Sequence, residues 1–376
     1  MNKAKRSKKK GTPDIYAVAR LAKVSIATVS RTINKVPTVD PKLAQRVWKA
    51  VDKLGFSPNT QARALVSGRS HLLGLIVSEI TNPFYPEMVQ GFQDFAVESG
   101  YEVLIGTTNY DPRRMELCVQ RMLERKVDGV ALMTFSVEDQ LLEQLAEGKI
   151  PLAFVGAYPT ESNFSTIEVD YYNGIREGVQ YLAVLGHRKI GFISGPLHSQ
   201  SSAARKLAFT KAMDGIGLPM RDEWMPEGNH TPEGGIAATK RILAGRELPT
   251  AIMTSNDMTA FGVLRALFDA GLRVPDDVSV IGFDDVSMAQ FTLPPLTSVQ
   301  MSPRELARCA VMALRDRLEQ EHGVKPAHYK VQTKLTVRQS AGAPRQESPA
   351  KKGNPANNGV QSSSRGPFPS ESSVQP

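Results

Sequence analysis

Two groups of side chains in this sequence have the types and spacing to do chemistry, and in both cases the chemistry is binding. The first lies in Asp14–Asn34, DIYAVARLAKVSIATVSRTIN. At helical spacing Ile26, Ala27, Ser30, Arg31 and Asn34 share one face, with Ser25 and Thr28 at its start. That face carries hydroxyls, a guanidinium and an amide, the groups that bond phosphate oxygens and base edges. The second group is spread along the chain. Asp284 ends the apolar run VSVIGF, Asn256 ends AIMTS, and Arg205 follows the loop after KIGFISG. If those runs are parallel strands, the three converge at strand ends, where a carboxylate accepts from vicinal hydroxyls and an arginine fork binds ring oxygens, hydroxyls or an acid group. The set suits a hydroxyl-rich ligand. Asn82, Phe84 and Tyr85 follow the first such run, and aromatic rings there can stack on a sugar face.

The elements that must position the first group are legible. Asp14 caps a helix whose Ile15, Val18, Ala19 and Ala22 fall on one side; Lys23-Val24 breaks it; Ser25 caps a second, with Val29 and Ile33 turned inward. This reads as a helix-turn-helix whose second helix enters a major groove. An ordinary helical hairpin is the alternative. Asp40 and Pro41 start a third helix with Leu43, Val47, Val51 and Leu54 on one face, flanked by Trp48 and ended by Gly55. In Ser57–Ser70, Asn59 can cap a helix of about two turns, too short to hold without a partner. It reads as a hinge that folds on DNA, with Ala62 allowing close approach across a dimer axis and Leu65 as a minor-groove wedge. A plain linker is an equally good reading of those residues.

Charge supports the DNA reading. Residues 1–70 hold 16 Lys/Arg against three acids, whereas the whole chain is +8, so everything after residue 70 sums to −5. Basicity is thus concentrated around the helix-turn-helix, and the outward face is too polar to insert into a membrane. Residues 1–11 read as a basic, disordered arm, and the Pro/Ser/Gly/Asn-rich stretch 341–376 cannot build a core and reads as a disordered tail. Cys118 and Cys309 have no paired spacing, so neither a disulfide nor a metal site is assigned. No secretion signal and no membrane-spanning run are present, and a cytoplasmic protein is expected.

Between residues 71 and 340, LLGLIVS, YEVLIGTT, GVALMTF, PLAFVGA, KIGFISG, AIMTSN and VSVIGF alternate with amphipathic stretches such as PEMVQGFQDFAVESG. That alternation implies parallel sheets, and about ten strands are too many for one small sheet, so two doubly wound α/β lobes are expected with a ligand cleft at the strand ends. No P-loop, GxGxxG, GxSxG, HExxH or paired CxxC occurs. The acidic pair Asp284-Asp285 points to opposite sides of a strand and cannot easily share a proton. No enzyme and no cofactor are expected. A transport binding protein would fit the two-lobed part, but not the basic helix-turn-helix.

VSIATVSRTIN (Val24–Asn34), GFSPNTQARALVSG (Gly55–Gly68), SEITNPFY (Ser78–Tyr85), LGHRKIGFISGP (Leu185–Pro196), TSNDMTAFG (Thr254–Gly262) and VPDDVSVIGFDD (Val274–Asp285) together resemble, in order, the motifs of the lactose-repressor/galactose-repressor family of bacterial transcription regulators, over about residues 14–340. The resemblance implies an N-terminal all-α domain (12–58), a hinge helix (59–70) and an effector domain (71–340) resembling periplasmic sugar-binding proteins. On the family pattern the chain crosses between lobes three times, giving an N-lobe of about 71–168 with 300–326 and a C-lobe of about 169–299 with 327–340. Arg205, Asn256 and Asp284 fall on the family's effector positions, and His230 lies where members place an aromatic ring in the cleft. Ala17 departs from the acidic residue often found in the first helix. No C-terminal leucine heptads are present, so a homodimer on a palindromic DNA operator is expected, controlled by a sugar or sugar derivative, with no membrane partner.

Overall fold

The computed structural model describes residues 13–33, 36–57, 68–134, 141, 144–145, 150–156, 163–319 and 325–345. Helices α1 (Ile15–Ala22), α2 (Ile26–Ile33) and α3 (Pro41–Leu54) come first. Each starts where the sequence supplies an acceptor. Asp14 accepts from the Ala17 N–H at 2.7 Å, Ser25 Oγ from Thr28 at 3.1 Å, and Asp40 from Lys42 and Leu43 at 2.8 and 3.1 Å. Arg46 in α3 reaches back to donate to the carbonyls of Ala22 and Lys23, satisfying the end of α1 and fixing the two helices together. Val18, Ala19, Ala22, Val29, Val47, Ala50 and Val51 form the core. Two details differ from the expected faces. Leu43 is only half-buried and lies outside that core, which takes Ala50 instead. Thr32 is buried because its hydroxyl donates to the Thr28 carbonyl one turn back, at 2.8 Å, and so needs no partner from elsewhere.

The first lobe contains β1 (Leu72–Val77), α4 (Phe84–Glu98), β2 (Glu102–Thr107), α5 (Pro112–Glu124), β3 (Gly129–Met133), β4 (Leu152–Val155) and β5 (Ser165–Asp170). The second contains α6 (Tyr171–Leu185), β6 (Ile190–Ile193), α7 (Gln200–Asp214), α8 (Pro232–Leu243), β7 (Ala251–Thr254), α9 (Asp257–Asp269), β8 (Ser279–Asp284) and β9 (Thr297–Gln300). The chain then returns through α10 (Pro303–Glu319) and β10 (His328–Gln332) to β11 (Lys334–Thr336). Strand orders are β2-β1-β3-β4-β5-β10 and β6-β7-β8-β9-β11. All these pairings are parallel except β9 with β11. Strands β3, β4, β6, β7 and β8 are buried at every residue, as helices on both faces require, whereas the edge strand β2 is partly exposed throughout. In the first sheet the order reverses at β1. In the second it reverses at β6, because Ser194 just beyond that strand makes a parallel bridge to Glu227. Such reversals open a crevice at the carboxyl ends of strands.

The crossings differ from the expected boundaries. His328–Gln332 pairs with β5, so it belongs to the first sheet, and the third crossing lies at Thr333 rather than after residue 326. The first crossing follows Asp170, which both ends β5 and caps α6 by accepting from Asn173 N at 3.2 Å. The second runs from Gln300 to Pro303. Thr333 ties two crossings together: its hydroxyl donates to the Asp170 carbonyl at 2.5 Å and accepts from Gly174 N at 2.9 Å. A Cβ on Gly174 would lie 2.6 Å from that hydroxyl, so glycine is what lets α6 reach the crossing.

The tail boundary at 341 is also corrected. Ala341 is buried, the Gly342 N–H donates to Ser279 Oγ at 3.0 Å, and its carbonyl accepts from His187 Nε2 at 2.8 Å, which fastens this segment to the second lobe. Among the described residues no helix is long and apolar enough to cross a membrane.

Helices α8 and α9 cross through glycines. A Cβ on Gly262 would stand 2.0 Å from the Pro232 carbonyl oxygen, and one on Gly235 2.3 Å from that of Thr259. Backbone cannot yield there as a side-chain tip can, so Gly262→Ala should destabilise the protein by about 1–3 kcal/mol through overpacking. Thermal unfolding of the full chain measures it, and an unchanged midpoint would contradict this close approach.

Candidate functional site

Asn82, Phe84, Tyr85, Arg205, His230, Asn256 and Asp284 all line one cavity of about 370 Å3 between the lobes. Its centre is Arg205, on α7, beside Asp284, at the end of β8. Both are nearly sealed from solvent, and Arg205 Nη2 lies 3.6 Å from Asp284 Oδ1, close enough for strong attraction but too long for a hydrogen bond. Nη1 donates to the Ser255 carbonyl at 2.5 Å, and the guanidinium lies 4.2 Å from the ring centre of Phe283 and 5.1 Å from that of Tyr171. The buried Nε–H has no partner among the described residues. Burial outweighs the attraction of Arg205 and pushes the Asp284 carboxyl up to about 7.

Asp257 holds this arrangement in place, and sequence reasoning passed over it. It accepts from Ser298 Oγ at 2.6 Å and from the Val286 N–H at 2.8 Å, pinning the turn that follows Asp284. A Cβ on Gly282 would lie 2.1 Å from Asp257 Oδ1, so the glycine of VIGFDD is clearance for that carboxylate. Burial, and next the neighbouring Asp284, hold Asp257 well above the usual carboxylate range. Asp284 and Asp285 have left-handed backbones (φ 108° and 57°), and Asp285 turns away to Arg338 at 2.7 Å and Gln300 at 3.1 Å.

His230 occupies the cavity wall rather than the open surface. Its Nε2 lies 2.5 Å from Ser255 Oγ and 3.4 Å from Ser202 Oγ, and burial lowers its pKa to about 3, keeping it neutral. Asn256 is largely committed to the protein: its Oδ1 accepts from Thr259 N at 2.9 Å, capping α9, and its Nδ2 donates to the His230 carbonyl at 3.1 Å. On the first-lobe wall Asn82 Oδ1 accepts from Phe84 N at 3.0 Å, and the Phe84 and Tyr85 rings meet edge to face at 5.6 Å. Burial, opposed by the neighbouring Ser78 and Tyr110 hydroxyls, pushes the Tyr85 hydroxyl up to about 12. Thr108, Tyr110, Thr134, His198 and Ser201 are among the other lining residues. Sequence reasoning missed them, although most stand just past a strand run or in the loop after it, and that position was the usable signal.

On the other candidate face, Ser25, Ile26, Ala27 and Arg31 are exposed, with Ile26 showing 40% of its surface, while Thr28 and Ser30 are half-buried. The hydroxyls of Ser25 and Thr28 meet at 2.9 Å, so they serve the helix start as well as any DNA contact. Asn34, and the hinge residues Asn59, Ala62 and Leu65, lie outside the described residues.

Residues 14–59 match the model of the bacterial regulatory proteins of the lacI family, and residues 179–341 match a periplasmic binding protein-like domain. Catabolite control protein A of Priestia megaterium is 33% identical over 308 residues, covering 82% of this chain and 93% of that protein. The HTH-type transcriptional repressor PurR of Haemophilus influenzae is 32% identical over 329 residues, 87% of this chain and 98% of that protein. Among solved structures, the lac repressor dimer bound to operator and the anti-inducer ONPF superimposes with a TM-score of 0.79 at 27% identity, covering 88% of this chain and 99% of that one. The transcriptional regulator CelR–cellobiose complex gives 0.67 at 30% identity, covering 88% and 100%. With a helix-turn-helix at one end, a ligand-sized cleft at the other, and relatives such as these that are regulators over nearly their full length, this chain belongs to the LacI family as a DNA-binding transcriptional repressor rather than an enzyme.

Proposed function

We propose that the cleft binds a small neutral carbohydrate, and that its occupancy sets the grip of the α1–α3 unit on the operator. The observation that carries this reading is the Arg205–Asp284 pair. The two charges offset each other, leave 3.6 Å between donor and acceptor, and share their wall with an unpartnered Nε–H. Hydroxyl groups can donate to the carboxylate and accept from the guanidinium at once. An anionic sugar would instead bring its charge against Asp284. Phe84 and Tyr85 across the cavity supply an aromatic wall for the apolar face of a sugar ring. The likeness to the CelR–cellobiose complex supports the same class.

Arg205, Asp284, His230, Phe84 and Tyr85 are the residues assigned to the ligand, with Asn82 and Asn256 serving chiefly to shape the wall. On DNA, Arg31 is assigned to a base edge, Ile26 and Ala27 to thymine methyls, and Ser25, Thr28 and Ser30 to phosphates. Asn34, Asn59, Ala62 and Leu65 keep the roles read from the sequence, the last as the minor-groove wedge. The ligand favours one arrangement of the lobes about the three crossings. That arrangement sets the separation of the two hinge segments in the dimer and hence whether they can fold together on DNA.

A thermal-shift panel on the full chain tests the ligand class, because only a true ligand stabilises the folded state. Neutral mono- and disaccharides should raise the midpoint, while sugar acids, sugar phosphates and purine bases should not; stabilisation by a purine or a sugar phosphate alone would overturn the carbohydrate reading. Affinity should also depend on pH with a defined sign. In the free protein the Asp284 carboxyl titrates near 7, and hydroxyl donors in the complex favour its ionised form. Binding therefore releases a proton below that value and weakens as pH falls. Calorimetric titration of the stabilising sugar should give about tenfold tighter binding at about pH 8 than at about pH 6. A flat profile, or tighter binding in acid, would remove Asp284 from the ligand contact.

A further inference from the structure

His230 is held with unusual care for a histidine in a loop. Its backbone is left-handed, φ 64°, a conformation that few non-glycine residues adopt. Asn256 Nδ2 donates to its carbonyl at 3.1 Å, and the ring lies against Gly195, where a Cβ would come 2.0 Å from Nε2. Nε2 faces Ser255 Oγ at 2.5 Å and Ser202 Oγ at 3.4 Å, and both serines are fully buried.

These contacts select a tautomer. The Ser255 hydroxyl has no other hydrogen-bond partner among the described residues. If Nε2 carried the ring proton, the hydroxyl hydrogen of Ser255 would be buried without an acceptor; a lone pair on Nε2 accepts it. The guanidinium of Arg205 stands close enough to oppose a second ring proton, and burial opposes it more strongly. Nδ1 has no protein partner among the described residues, yet it is not among the sealed, unpartnered polar atoms, and His230 lines the cavity. With Nε2 turned into the wall, Nδ1 is the nitrogen left for the cleft.

We infer that Ser255 and Asn256 hold His230 as the neutral Nδ1–H tautomer, so that the ring presents a fixed hydrogen-bond donor to the cleft that an effector must meet with an acceptor oxygen or nitrogen. Asn256 is then a positioning residue, acting through His230. A hydroxyl, ring oxygen or carbonyl satisfies the donor, and a ligand edge carrying only N–H groups does not. The inference rests on the cleft being the effector site, and not on the effector being a sugar.

Nitrogen-15 magic-angle-spinning NMR of the sedimented full-length protein, labelled at its six histidines, reads the tautomer without any ligand. The His230 signals, assigned by their loss in His230→Asn, should show a protonated δ1 and an unprotonated ε2 nitrogen, and Ser255→Ala should convert them to a tautomer mixture. An Nε2–H tautomer or an imidazolium would overturn the inference. The functional consequence is read by calorimetric titration with the sugar that gives the largest thermal shift. His230→Asn tolerates a left-handed backbone and places an amide N–H where Nδ1–H stood, so it should bind within about threefold of wild type, whereas His230→Gln moves the donor away and should bind about tenfold or more weakly. Equal losses in both variants would reduce the ring to packing and contradict the donor role. If no sugar in the panel stabilises the wild-type chain, the carbohydrate reading fails while the NMR result still decides the tautomer.

Discussion

A guanidinium and a carboxylate buried together without a hydrogen bond between them are what the cleft is built around. Taking Arg205 and Asp284 out of water costs several kcal/mol per ion unless the surroundings answer each charge. The surroundings answer only in part. Phe283 and Tyr171 present ring faces to the guanidinium, and Ser255 offers a carbonyl, but the Nε–H stays unpartnered and Asp284 is driven toward its neutral form. On the proposed function, that unused hydrogen-bonding capacity is what a ligand meets. Asp257, Ser298 and the bare Cα of Gly282 keep the Asp284 turn rigid enough for that capacity to be aimed.

Much of this was legible from residue types. The seven apolar runs are strands because parallel sheets covered on both faces tolerate little else, and the caps of α1–α3 are where Asp14, Ser25 and Asp40 announce them. What escaped was set by partners far away in sequence. HYKVQ has no apolar run; it is a strand because β5 offers an edge some 160 residues earlier in the chain, and only that pairing moves the third crossing to Thr333. Ala341 and Gly342 read as tail because nothing local shows that His187 and Ser279 will bind them.

The candidate cleft residues show the same division more finely. Their convergence followed from strand-end positions, but the division of their hydrogen bonds did not. Asn256 looks like a ligand group by type, yet its carbonyl is given to the start of α9 and one N–H to His230. His230 stands where the family resemblance puts a cleft ring, and Gly195 leaves the space that admits that ring to the wall. Tyr85 offers a ring, while its hydroxyl lies among those of Ser78 and Tyr110.

On the proposed function, cleft and DNA face are one thermodynamic device, in which a ligand shifts operator affinity by its preference for one lobe arrangement, and DNA shifts ligand affinity by the same factor. The most direct measurement takes operator fragments selected by the full-length protein from a random DNA library. Their affinity is titrated by fluorescence anisotropy with and without the stabilising sugar, and the sugar's affinity is titrated with and without saturating operator. This coupling predicts two equal factors of about fivefold or more. A sugar that stabilises the protein yet leaves operator affinity unchanged would contradict it.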